Sequence, residues 1–124
     1  MLKYFISLFK KSKDKDPIKK NGTWKEFNKQ GMLISEGNYV EDKRSGKWKF
    51  YYDTGELAIE ETYDTGKMNG VFKSYYKNGN MISEGHYSNN KREGDFLIFN
   101  ESGLIIKTMK FERDILMEEI DCNV

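Results

Sequence analysis

The sequence predicts an all-β protein, an elongated, open antiparallel β-meander of four 24-residue hairpin repeats with a short capping segment at each end. Three observations lead there. Glycines recur at Gly22, Gly46, Gly70 and Gly94, and again at Gly31, Gly55, Gly79 and Gly103, which sets the period. Twelve of the fifteen aromatic residues between 22 and 111 fall in three columns of that register: Trp24, Trp48, Phe72, Phe96; Phe27, Tyr51, Tyr75, Phe99; and Tyr39, Tyr63, Tyr87, Phe111. Each unit also reads as two strand-forming runs joined by a turn.

The elements follow in order. In every unit a short aromatic run (WKEF, WKFYY, FKSYY, FLIF) meets a turn ending in glycine, then an alternating run such as MLISEGNYV. Asp53-Thr-Gly55 and Lys77-Asn-Gly79 have tight-turn chemistry, so Gly55 and Gly79 are expected at positive φ. The second connection, Glu41-Asp-Lys-Arg-Ser-Gly46 or Ser88 through Gly94, is expected to be a longer, charged loop on one exposed rim. Eight strands at about 4.8 Å spacing make a sheet about 38 Å long, each hairpin touching only its neighbours. Aromatics on both faces argue against a small barrel, which has one packed interior and a polar outside. Leu33, Leu57, Met81 and Ile105 add an aliphatic column, and Glu36, Glu60 and Glu84 a polar one, read as a solvated stripe.

The 124 residues hold 21 Lys and Arg against 20 Asp and Glu, a net charge of +1 that gives no overall attraction to nucleic acid. The ends differ. Residues 1–21 form a basic amphipathic segment of seven Lys and two Asp, with Leu2, Phe5, Ile6 and Phe9 at helical spacing. That segment fits a short helix capping one end of the fold, an interfacial anchor on anionic lipid or a disordered tail. The repeats are placed at 22–117 and an acidic tail at 118–124; residues 112–124 hold one Arg and five acids, and 114–120 are compatible with a short helix or a last strand. One cysteine, Cys122, excludes a disulfide scaffold, and the opening apolar run is too short for a signal-peptide core, so the expected compartment is the cytoplasm, including the inner face of its membrane.

The spaced Gly-x-Trp/Phe-x-x-Phe/Tyr-x-x-x-Gly pattern, followed by Glu36-Gly-Asn-Tyr39 and Glu84-Gly-His-Tyr87, resembles MORN repeats, and more closely the variant class found in bacterial YwqK-type antitoxin-like proteins. The resemblance covers residues 22–111, with Glu61 and Met109 standing where the first and third units have Gly37 and Gly85. It implies a non-enzymatic β-sheet scaffold that binds a protein or, in other MORN proteins, lipid headgroups.

Chemistry is scarce. One His and one Cys supply neither a nucleophile with its base nor a metal set, and no glycine precedes the Lys-Ser/Thr pair of a phosphate loop. No catalytic residue, metal, cofactor or small-molecule substrate is therefore expected; His86 reads as a surface residue and Cys122 as a loose thiol. Phe50, Tyr52 and Tyr76 are the three aromatics outside the columns. Their strand parity with Trp48 and Phe72 puts them on one face at the middle of the sheet, where aromatic anchors would hold a protein partner such as a toxin or effector. The alternative site is a basic rim, Lys43, Arg44, Lys67, Lys91 and Arg92, facing an anionic membrane. The expected function is that of a cytoplasmic immunity or antitoxin protein acting by direct binding; the alternative is a membrane-peripheral scaffold.

Overall fold

The computed structural model of the protein describes residues 19–122. In chain order its strands are β1 (Gly22–Phe27), β2 (Leu33–Val40), β3 (Lys43–Tyr51), β4 (Leu57–Asp64), β5 (Lys67–Met68), β6 (Gly70–Tyr75), β7 (Met81–Ser88), β8 (Lys91–Arg92), β9 (Gly94–Phe99), β10 (Ile105–Glu112) and β11 (Ile115–Asp121). They form one antiparallel sheet in the order β1-β2-β3-β4-β6-β7-β9-β10-β11, while β5 and β8 pair with β4 and β7 just ahead of β6 and β9. The meander is open, as expected. Apart from the two-residue β5 and β8, the path has nine strands, one more than the eight expected, because residues 115–121 settle as a strand, not a helix, and run past residue 117. The amphipathic start lies outside the described residues.

Two kinds of turn alternate. At the first, Gly55 N donates to Tyr52 O (2.9 Å) and Tyr52 N to Glu56 O (2.8 Å), with Gly55 at φ +104°; Gly79 repeats this at φ +91°. That is a type I turn closed by a glycine bulge, in which the left-handed residue must carry no Cβ.

The second connection corrects the sequence expectation. It is a two-residue turn, not a long loop: Val40 pairs with Lys43, and Glu41 and Asp42 both take positive φ (51° and 65°), as do Thr65-Gly66, Asn89-Asn90 and Arg113-Asp114. Tertiary hydrogen bonds hold the backbone there. Asp42 N donates to Lys20 O (2.9 Å) while Lys20 N donates to Asp42 Oδ1 (2.6 Å), and the backbone donation recurs one repeat on at Gly66 to Arg44, Asn90 to Met68 and Asp114 to Arg92. Each turn therefore clasps the strand entry of the hairpin before it. Directly after each entry the ladder kinks at Gly46, Gly70 or Gly94, all at positive φ, so the recurrent first glycine marks a bulge inside a strand and not the end of a loop.

With one layer, the core lies on a face of the sheet. Trp24, Trp48, Phe96 and Phe111 are its buried apolar residues, and Trp48, 1 % exposed, is the most deeply enclosed. Trp48 covers Gly37 so closely that a Cβ there would stand 2.1 Å from the indole Cδ2, and Phe96 covers Gly85 likewise at 2.5 Å. The glycine of Glu-Gly-x-Tyr is the floor on which the next ring lies.

Candidate functional site: the aromatic face and its basic rim

The face is built from the columns. Trp24, Tyr39, Trp48 and Phe50 follow one another at ring-centroid distances of 5.6, 4.9 and 6.3 Å, and Phe72, Tyr87, Phe96 and Phe111 at 5.6, 5.8 and 5.4 Å, mostly edge to face. The two runs are separated where Glu61 replaces the floor glycine. A carboxylate there cannot lie under a ring; instead it accepts the Tyr63 hydroxyl (2.5 Å), and Phe72 stays half-buried. Burial first, and the Glu61 hydrogen bond second, raise the Tyr63 pKa.

Cations cover these rings. Lys20 Nζ lies 4.7 Å from the Trp24 centroid, Arg44 lies 4.7 Å from Trp48, 5.4 Å from Phe50 and 5.3 Å from Tyr63, and Arg92 lies 4.2 Å from Phe111. Arg44 Nη1 also donates to the Tyr63 hydroxyl (3.1 Å), and Arg92 Nε to Asp114 (2.5 Å). Of the five basic rim residues read from the sequence, Lys43, Lys67 and Lys91 are exposed, while Arg44 and Arg92 are half-buried and fold back over the aromatics. An open groove of about 790 Å³ joins the two features, lined by Tyr39, Arg44 and Tyr63 together with Lys43, Lys67 and Asn90.

The three aromatics outside the columns do not come together as the parity reading supposed. Phe50 does stack beside Trp48 on the aromatic face. Tyr52 lies past the end of β3 in the turn, and its hydroxyl donates to Tyr75 O (2.6 Å); Tyr76 does the same to Phe99 O (3.0 Å). They form a column of their own with Asn28 and Asn100, whose Oδ1 atoms accept backbone N–H groups within their turns. The interval of 24 residues among these four was the signal that sequence reasoning missed.

The opposite face adds partners to the glutamate column. Lys25, Lys49 and Lys73 stand directly between Glu36, Glu60 and Glu84 across the strands: Lys25, Glu36, Lys49, Glu60, Lys73 and Glu84 alternate in sign and end at Leu97. Opposite charges directly across antiparallel strands favour this register. Tyr51 joins the ladder by donating to Glu36 (2.9 Å), and burial, then that bond, push its pKa up to about 12.

Fold and site together define a β-hairpin repeat protein, a single antiparallel sheet with an aromatic face and a basic rim. The MORN repeat variant pattern matches residues 20–41, 44–65 and 68–89, just over half of the sequence, and the chain belongs to that family. Each matched stretch runs from a clasped strand entry (Lys20, Arg44, Met68) to the first residue of a two-residue turn, so Arg92–Arg113 is a fourth, structurally equivalent unit. Such repeats are binding modules. No curated protein matches the sequence.

Proposed function

We propose that the protein is a cytoplasmic binding module for another protein, an immunity or antitoxin protein that neutralises a toxin by docking on the aromatic face. The observation that carries this reading is a row of rings on one side of the sheet, with Lys20, Arg44 and Arg92 lying over them. Rings of this kind bury large area at small entropic cost, and contact energy concentrates in a few of them. Phe50 closes the first run of rings beneath Arg44, which also lines the groove, and Tyr52 and Tyr76 lie in the turns.

The test is co-production with the product of the adjacent upstream reading frame, followed by titration of the two purified proteins. Phe50→Ala is expected to weaken binding at least about tenfold and to abolish growth rescue. Tyr52→Phe and Tyr76→Phe, which remove only hydroxyls already committed to carbonyls, should leave affinity nearly unchanged. Wild-type affinity in Phe50→Ala would sink the docking face.

A second reading rests on Lys43, Lys67 and Lys91, exposed at intervals of about 9.6 Å along one rim, a spacing suited to anionic headgroups. Flotation with anionic vesicles separates it from the first: a lipid scaffold floats and loses this when the three lysines become Gln, whereas a protein-binding module stays below.

A further inference from the structure

β11 is the end strand of the sheet, and every one of its seven residues is exposed, Ile115 by 64 %, Met117 by 55 % and Ile120 by 50 %. Sheets rarely leave an apolar edge of that length bare. We infer that this edge is covered by residues 1–18 of a second copy of the chain, which add to it as a further strand.

Charge selects the occupant. The last turn and strand carry Glu112, Asp114, Glu118, Glu119 and Asp121 against Arg113, and the acids outnumber the bases there even though Arg92 pairs with Asp114 and Lys107 with Glu119. Pairing β11 antiparallel with its own copy about the middle residue would set Glu118 against Glu118, and like charges directly opposite are destabilising. Residues 1–18 bring five Lys and two Asp, and Leu2, Tyr4, Ile6 and Leu8 fall on one side of an extended strand. The nearer edge, β1, follows Lys19 and Lys20 and balances Lys25 with Glu26, so it has no acidic excess to draw lysines.

Reach selects the copy. From Lys19 beside β1 to β11 is eight strand spacings, about 38 Å, and lining seven residues takes about 23 Å more, about 61 Å together. Eighteen extended residues span about 59–65 Å, so the chain's own segment would arrive fully taut. A tether without slack gives an effective concentration near zero. A neighbour's segment is free of that constraint, and the contact is head to tail, producing open, concentration-dependent chains in place of a closed dimer.

Two full-length variants test this. One carries Lys3→Glu, Lys10→Glu and Lys11→Glu; the other carries Glu118→Lys and Glu119→Lys. In the wild type, raising the protein concentration should slow hydrogen exchange of the 115–121 amides by about tenfold or more and increase the sedimentation coefficient, with β1 unchanged. Each variant alone should stay monomeric, and mixing them should restore association, because reversed segment then meets reversed edge. Wild-type hydrogen-exchange protection of the β9 and β10 amides in both variants confirms that the sheet beside β11 folds. The inference fails if β11 protection is independent of concentration, if it appears at β1, if either variant associates like the wild type, or if the mixture stays monomeric. It fails equally if β11 is never protected and residues 1–18 bind anionic vesicles.

Discussion

A Cβ on Gly37 would stand 2.1 Å from the Trp48 ring, while one on Gly31, at φ +84°, would meet no atom within 4 Å. The two glycines are thus required for different reasons, and the costs of replacing them separate. Gly37→Ala must displace a ring that is 1 % exposed and is expected to cost about 3 kcal/mol or more, whereas Gly31→Ala has only left-handed backbone strain to bear, about 1 kcal/mol. Denaturant titration of both proteins checks the ratio; equal losses would refute the ring-floor account. Tyr51 gives a pH signature. Its pKa is raised from 10.0 to about 12, so the folded chain holds the proton more tightly than the unfolded one. The associated stability is complete below pH 10 and is lost as pH rises from 10 to about 12. Melting temperature should fall through that window, and Tyr51→Phe should flatten the part of the fall that belongs to this group.

At the scale of elements, turns and bulges set the register. Arg113 and Asp114 both sit at positive φ (46° and 70°), a conformation that glycine or asparagine adopts with less strain than arginine. Because Arg113 contributes its backbone N–H to Glu93 (2.9 Å), which glycine retains, Arg113→Gly should raise stability by about 1 kcal/mol, read as an unfolding midpoint shift at unchanged slope. β11 shows what the bulge glycine does. Glu118 occupies its place in the period, and the strand carries only one unpaired residue, Met117, between the pairs Phe111–Leu116 and Lys110–Glu118. At the β2–β3 junction Asn38 pairs with Ser45 and Glu36 with Lys49, which leaves two extra residues on the longer side. One residue of difference exchanges the faces. Ile120, in the Trp48 column, therefore lies opposite Thr108 and stays exposed, and the aromatic face ends at Phe111.

For the molecule as a whole, stacking makes stability local. Each hairpin leans on the next through rings, and through clasped turns and tyrosine hydroxyls that reach 22 or 23 residues along the chain, so damage should stay near its origin. Trp48→Ala is expected to cost about 3–5 kcal/mol. Hydrogen exchange should show β1–β4 opening while β7, β9 and β10, held by Phe96 and Phe111, keep most of their protection. A uniform loss across the sheet would mean that the repeats fold as one cooperative block.

The amino-acid sequence by itself determined the period, the open meander and the aromatic columns. Cross-strand neighbours in a stack of equal hairpins must recur at the repeat length, and Gly37, Trp48, Tyr63 and their equivalents display that interval directly. Asn28, Tyr52, Tyr76 and Asn100 display it too, as do Lys25, Lys49 and Lys73, but chemically unlike residues share the first column and the second matters only beside its Glu partners. The tertiary structure alone decided that Glu41-Asp42 and Arg113-Asp114 close as two-residue turns, that Arg44 and Arg92 lie over rings, and that β11 slips by one residue. Each of these outcomes depends on a group supplied by an adjoining unit or on a missing bulge, and local propensity carries no information about a partner 22 residues away.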